Sequence, residues 1–109
     1  MLNSSPSVVS VSGKKISLTD ERWGHIERRH PELRGSREDV LDAVRDPKFV
    51  VEGRYGETLA VRSSDIGRPG TFLVVVYRES SKDGFIITAF VTSDVKDLER
   101  REKLWPSPF

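Results

Sequence analysis

The chain has no cysteine among its 109 residues, and it has two histidines. The absence of cysteine excludes disulfides, thiolate metal sites and cysteine nucleophiles. A zinc site would then need carboxylate ligands beside the two histidines, which is a minority pattern. We therefore expect a protein that holds no metal and no other cofactor.

Long hydrophobic segments are also lacking. The apolar run at Leu73–Val76 is far too short to cross a bilayer. Residues 1–7 lack the basic and apolar regions of a signal peptide. These absences predict a cytoplasmic protein without membrane contact, and they leave its oligomeric state open.

The chain also lacks an excess of charge of one sign. Eighteen lysines and arginines oppose 17 acidic residues, so the formal net charge is +1. Any case for a nucleic-acid partner must therefore rest on local clusters. The motifs G-x-x-x-x-G-K-[ST], G-x-G-x-x-G and G-x-S-x-G do not occur. Nucleoside triphosphate hydrolysis, dinucleotide binding and α/β-hydrolase chemistry are thus unsupported.

The pattern of apolar residues predicts an α+β fold, in which N-terminal helices pack on a four-stranded antiparallel sheet and a short helix follows. The length indicates a single domain, residues 1–109, with residues 1–7 as a tail. Thr19 and Ser36 are expected to N-cap the first two helices. The predicted helices span 20–29, 37–45 and 95–103, and the predicted strands span 48–54, 58–63, 71–78 and 85–92.

His25 lies on the first predicted helix, and His30 follows directly at its end. At 100° per residue, His30 shares a sector with Trp23 and Ile26, whereas His25 lies on another side, which disfavours a metal-binding pair. Pro31 ends the helix at His30, and we expect His30 to reach the sheet. Each histidine is open to two interpretations: a packing or surface residue, or a general acid or base.

Arginines and polar strand residues supply further candidates. Interleaved arginines and carboxylates around the first helix are typical of a solvated helical face. Arg54 and Arg62 flank one predicted hairpin, and a guanidinium can hold a phosphate through paired hydrogen bonds. Tyr77 is expected near Thr92 on the neighbouring strand, although both are also ordinary strand residues. Tyr55 and Tyr77 are candidates for stacking on bases.

The segment Leu18–Leu33, with its motifs W-x-H-I and R-H-P-E, resembles a family of small bacterial and phage proteins. These proteins are grouped with the barnase–EndoU–colicin–RelE (BECR) fold of ribonucleases, and the phage-associated PBECR-type domains are the most similar. Asp46-Pro47 before the sheet and the strand ending at Thr92 fit the same pattern. The resemblance covers residues 16–104.

The resemblance implies a metal-independent endoribonuclease of a kind that often acts as a toxin. Such an enzyme cleaves RNA by attack of a 2′-hydroxyl on the adjacent phosphate, with histidine acid/base catalysis. The implied partners are RNA and a cognate antitoxin or immunity protein. The alternative is an inactive BECR-like protein that binds RNA or another protein, since fold does not fix function.

Matching positions carry the implied catalytic roles over to His25, Arg29, His30 and Thr92. Three substrate-binding candidates rest on strand position alone: Arg54, Arg62 and Tyr77.

Overall fold

The computed structural model describes residues 6–66 and 68–106, which form a mixed α+β fold around one seven-stranded sheet. The strand order is β1-β2-β6-β5-β4-β3-β7, with β2 parallel to β6 and the other neighbours antiparallel. The elements are β1 (Ser7–Val9), β2 (Lys15–Ser17), α1 (Asp20–Arg29), a 3₁₀ turn (Pro31–Leu33), α2 (Arg37–Arg45), β3 (Phe49–Glu52), β4 (Thr58–Ser64), β5 (Thr71–Glu79), β6 (Asp83–Thr92), α3 (Lys96–Glu99) and β7 (Lys103–Trp105).

The α+β class is confirmed, but the predicted sheet of four strands is wrong. Strands β3 to β6 form the predicted antiparallel meander, and β1, β2 and β7 extend it to seven. Each added strand has three residues, and two of them pair with strands that are distant in the chain: β2 with the first residues of β6, and β7 with β3. Such short strands carry too little local pattern to identify a partner.

The C-terminal segment also differs from the prediction. The helix expected over 95–103 is limited to Lys96–Glu99, and the chain then extends as β7 beside β3. Pairing with β3 satisfies backbone groups that a longer helix would leave open at the sheet edge. Of the predicted tail, residues 1–5 lie outside the described residues, and Ser7 already pairs with Ser17 in β1.

Helix α1 has the predicted bounds because its capping signals are local. The Thr19 hydroxyl accepts the Arg22 N–H at 3.1 Å, and His30 leaves helical geometry before Pro31 (φ −133°, ψ 74°). Trp23 and Ile26 are the buried residues of this helix and lie on its inner side.

Helix α2 begins without the predicted cap. The Ser36 side chain makes no capping hydrogen bond, and its backbone (φ −110°, ψ 24°) is not extended as a cap would be. Arg37 ties this helix start to α1 instead. Its guanidinium donates to the Leu18 carbonyl at 2.9 Å and lies 2.8 Å from the Asp20 carboxylate.

The two faces of the sheet differ. Helices α1 and α2 cover one face, whose core includes Val75, Tyr77 and Ala89. On the other face, Val95 and Leu98 at α3 pack over the β3–β4 side of the sheet. The rest of that second face, along β5 and β6, is partly or fully exposed. We call it the open face, and it comprises Phe72, Val76, Arg78, Phe85, Thr88 and Phe90.

A bulge in β6 decides which side chains reach the open face. Val76 pairs with Thr88 but Tyr77 pairs with Ile86, so Ile87 is an extra residue. Ile86 is consequently buried in the helix-side core, and its neighbour Phe85 lies on the opposite face. A regular strand would place residues 86, 88, 90 and 92 on one face, as the alternation in the sequence predicts, and the bulge moves Ile86 to the other face.

Gly84 lies where β6 passes close to β5 and β2. An added Cβ would meet the Arg78 carbonyl oxygen and would lie 2.9 Å from Ile16 Cδ1. We expect Gly84→Ala to destabilise the fold by about 1–3 kcal/mol in urea unfolding. The matched control is Gly24→Ala on α1, where the nearest atom is Arg28 Nη1 at 3.5 Å. Gly24→Ala should be neutral or stabilising, and an equal loss in both variants would contradict this account.

Candidate active site

A cleft of about 330 Å³ opens at the end of the sheet where β5 begins and β6 ends. Four separate segments meet there: the 3₁₀ turn, the β4–β5 loop, the start of β5 and the end of β6. We call it the Arg68 cleft. Its lining is Glu32, Ile66, Arg68, Thr71, Val91, Thr92 and Ser93. Polar groups that converge in a cleft are typical of ligand-binding sites.

His30 lies between this cleft and the open face. Its backbone N–H donates to the Ile26 carbonyl at 2.8 Å, which ends α1. Its Nδ1 is 3.7 Å from Oε2 of Glu32, a cleft residue, and its ring centroid is 6.4 Å from that of Phe90 on the open face. The side chain is 31% exposed, and its contact with the cleft is through Glu32.

The loop that carries Arg68 is fixed by a buried hydroxyl. Thr71 Oγ1 lies 3.1 Å from the Ser64 carbonyl oxygen and 2.9 Å from that of Arg68. Both contacts hold the loop against the start of β5. The Arg68 side chain is exposed at the cleft, where a guanidinium can bind a phosphate through two hydrogen bonds.

Thr92 lines the same cleft, as predicted for a site residue, but its hydroxyl is engaged. Oγ1 accepts the Asp94 N–H at 3.1 Å and donates to the Asp94 carbonyl at 3.2 Å. This turn shapes the cleft wall, and its hydrogen bond to the Asp94 carbonyl occupies the hydroxyl proton of Thr92. Thr92 therefore contributes to the shape of the cleft more than to proton transfer.

His25 and Arg29 are not brought to the Arg68 cleft. His25 is five residues from His30, a rotation of roughly 140° around the helix. It lines a separate cleft of about 290 Å³, with Arg22 and Arg28, on the outside of α1. Arg29 is exposed at the end of α1 and is in the lining of neither cleft. The two histidines therefore do not form an acid/base pair.

Arg62 and Arg54 do not share a binding site, contrary to the prediction. Arg62 pairs with Leu73 on the helix-covered face, and its Nη1 donates to the Asp42 carbonyl at 3.2 Å. That carbonyl already accepts the Asp46 N–H at 2.7 Å at the end of α2, so Arg62 adds a second hydrogen bond to it. Arg62 therefore stabilises the helix end, while Arg54 is exposed in the turn after β3.

Arg62 also lines a third cleft, of about 420 Å³, beside Asp39 and Asp65. Its described lining contains two carboxylates and no histidine, so it is a poorer site for phosphate chemistry.

Tyr77 cannot stack on a base, and that prediction is wrong. Its side chain is 1% exposed in the core beneath the helices. Burial, together with the charge of Glu79, raises the pKa of the Tyr77 phenol well above its ordinary value. Tyr55, the other stacking candidate, is 80% exposed.

No protein-family model, curated protein or solved structure matches the chain. Within residues 6–66 and 68–106, no three histidine, aspartate or glutamate side chains are grouped so that they could hold a metal ion. In that same part of the chain, no helix is long and apolar enough to span a membrane. The functional assignment therefore rests on the geometry of the clefts and of the open face.

Sequence reasoning missed Glu32, Arg68 and Phe90 as site residues. Glu32 carries a weak signal, because it follows His30 by two residues in the R-H-P-E motif. Phe90 alternates with Thr88 and Thr92 along β6, so the sequence pattern already placed it on the same face as those two residues. Arg68 had no local signal, because its position depends on Thr71 holding the β4–β5 loop.

Proposed function

We propose that the chain is an endoribonuclease that acts at the Arg68 cleft, with His30 as its acid/base residue. One observation carries the proposal: an accessible imidazole contacts the lining of a cleft that also holds an arginine. The resemblance of Leu18–Leu33 to BECR ribonucleases supports it independently of the geometry. A toxin role and a cognate antitoxin or immunity protein stay predictions.

The proposed reaction is an intramolecular transfer within the RNA. The 2′-oxygen of one ribose attacks the adjacent phosphorus, and His30 accepts the hydroxyl proton. The bond from phosphorus to the 5′-oxygen breaks, and a second proton donor protonates the leaving oxygen. Arg68 offsets the negative charge that builds on the phosphate. Proton transfer by a positioned side chain contributes roughly 10²–10⁴-fold to the rate.

Glu32 supports the assignment of His30. A carboxylate beside Nδ1 favours the tautomer in which Nδ1 carries a proton, and Nε2 is then free to accept one. The present separation of 3.7 Å is longer than a hydrogen bond. Catalytic hydrogen bonds of this kind often shorten when substrate binds.

The open face supports RNA as the substrate. Phe72 and Phe90 are partly exposed there, and Lys48 Nζ lies 5.7 Å from the Phe72 ring centroid. Aromatic side chains flanked by cations bind single strands by stacking on bases and pairing with phosphates. A nearly neutral chain thus has a local surface that suits RNA.

A second candidate function is an RNA-binding module without catalysis. The engagement of the Thr92 hydroxyl by Asp94 favours it, because one predicted catalytic group is not free. The open face serves this function equally well. The two candidates differ only in whether bound RNA is cut.

The test is incubation of the protein with single-stranded RNA in the presence of EDTA. We expect cleavage, with a 2′,3′-cyclic phosphate on one of each pair of new ends. The His30→Ala variant, prepared in the same way, controls for a contaminating nuclease. Intact RNA after incubation with folded wild-type protein would contradict the proposal and favour the binding module.

A further inference from the structure

Two exposed aromatic side chains lie at the end of the sheet opposite the Arg68 cleft. Among the described residues, the large hydrophobic side chains with high exposure are Val9, Tyr55, Phe85 and Leu104, at 57%, 80%, 51% and 45%. The two aromatic ones, Tyr55 and Phe85, both adjoin Arg78. Exposed aromatic rings beside a cation call for a functional explanation more than scattered aliphatic ones do.

The contacts of Arg78 bring the three residues together. Arg78 on β5 is directly opposite Phe85 on β6, and both belong to the open face. Arg78 Nη2 donates to the Tyr55 carbonyl at 3.2 Å. Arg78 and Phe85 also line a cleft of about 160 Å³ at the β5–β6 hairpin.

The turn that carries Tyr55 is ordered before any ligand binds. The Glu57 carboxylate accepts the Tyr55 N–H at 2.8 Å and folds over Gly53, where an added Cβ would collide with it. The N–H groups of Glu57 and Tyr55, and then the charges of Arg78 and Arg101, lower the pKa of the Glu57 carboxyl. An ordered loop loses less conformational freedom on binding.

We propose that Tyr55, Arg78 and Phe85 form a distal site for a single-stranded segment of the RNA. Arg78 pairs with a backbone phosphate, and the two rings stack on unpaired bases. This inference rests on the proposed function for the nature of the ligand. It adds a second contact point, beyond the cleft, that determines which RNA binds well.

The spacing of the two sites sets the length of RNA that is needed. Phe90, beside His30, and Phe85 are five residues apart on β6, a separation of roughly 16 Å. A dinucleotide in the Arg68 cleft does not span that distance, whereas a longer strand lying along the open face does. Bases paired in a duplex are not free to stack on the rings, so the distal site selects single strands.

The experiment compares a dinucleotide with a single strand of about ten nucleotides, the size range of single-strand sites. In the Tyr55→Ser/Phe85→Ser variant, we expect the ratio of the KM for the longer strand to that for the dinucleotide to rise by about tenfold or more. The control is Leu104→Ser on β7 at the far edge of the sheet. It removes a similarly exposed apolar side chain and should leave the ratio unchanged.

The outcomes separate the two proposals. An unchanged ratio in the double variant, with both substrates still cleaved, would overturn the distal site and leave the ribonuclease standing. If wild-type protein cleaves neither substrate, fluorescence anisotropy of the longer strand is the readout. A loss of affinity in the double variant then supports the distal site while the ribonuclease proposal fails. Equal affinity of both proteins would overturn the distal site in that case also.

Discussion

Replacing His30 by alanine is expected to lower the rate of RNA cleavage by roughly 10²–10⁴-fold, the contribution of a positioned acid or base. The fold should tolerate the change. The hydrogen bonds that end α1 use the His30 backbone, which alanine retains, and the side chain is 31% exposed. Cleavage rates and urea unfolding, measured on the same preparation, check both parts of this expectation.

His25→Ala is the matched control for this substitution. It removes the same side chain from the same helix, but from the separate cleft beside Arg22 and Arg28. We expect cleavage to stay close to the wild-type rate. Equal losses in the two variants would contradict the assignment of His30. Unfolding of His30→Ala alone would show that His30 has a structural role.

The largest expected effect on stability comes from Ile26→Ala. Ile26 is fully buried between α1 and the sheet, so truncation leaves a cavity and should cost about 2–5 kcal/mol. That is a large share of the stability of a small domain. Because α1 carries His30, cleavage should fall with the folded fraction. Urea unfolding monitored by fluorescence of the nearby Trp23 measures the loss.

Arg28→Ala is the control for helix α1. Arg28 is exposed on the same helix, and the change should stay within about 0.5 kcal/mol of wild type. If Ile26→Ala were equally harmless, α1 would not be docked through this side chain. The position of His30 against the sheet would then lose its support.

Those parts of the fold with strong local signals could be predicted from the sequence. Thr19 and Pro31 define α1 within the chain itself, and both act through neighbouring backbone groups. Strands β5 and β6 are long and apolar, so their existence and antiparallel pairing were predictable. The orientation of His30 followed as well, because its sector on the helix is that of the buried Trp23 and Ile26.

Features that depend on distant partners could not be predicted. Residues 14–18 read as a short extended piece, but the partner of β2 is β6, nearly 70 residues along the chain. The bulge at Ile87 moves Ile86 into the core and leaves Phe85 exposed, and no local residue type signals it. The same limit applies to Arg62, whose partners are carbonyl groups at the end of α2.

The candidate site likewise has residues that the sequence indicated and residues that it did not. His30 and Thr92 were named from motif and strand position. Thr92 lines the Arg68 cleft, and His30 lies 3.7 Å from Glu32 in that lining. Arg68 was not found, because a loop rich in glycine and proline has no periodicity from which to infer where its side chains lie. His25 was named from the resemblance, and it lines a separate cleft, in agreement with its position on another side of the helix.

Cleavage of a chimeric strand tests the central claim most directly. The strand is DNA except for a single ribonucleotide, so it carries one 2′-hydroxyl. In the presence of EDTA, the account predicts a single cut after that ribonucleotide, with a 2′,3′-cyclic phosphate end that His30→Ala protein does not produce. Cutting at deoxynucleotides, or an equal cut by the His30→Ala protein, would contradict the claim that His30 activates a ribose hydroxyl at the Arg68 cleft.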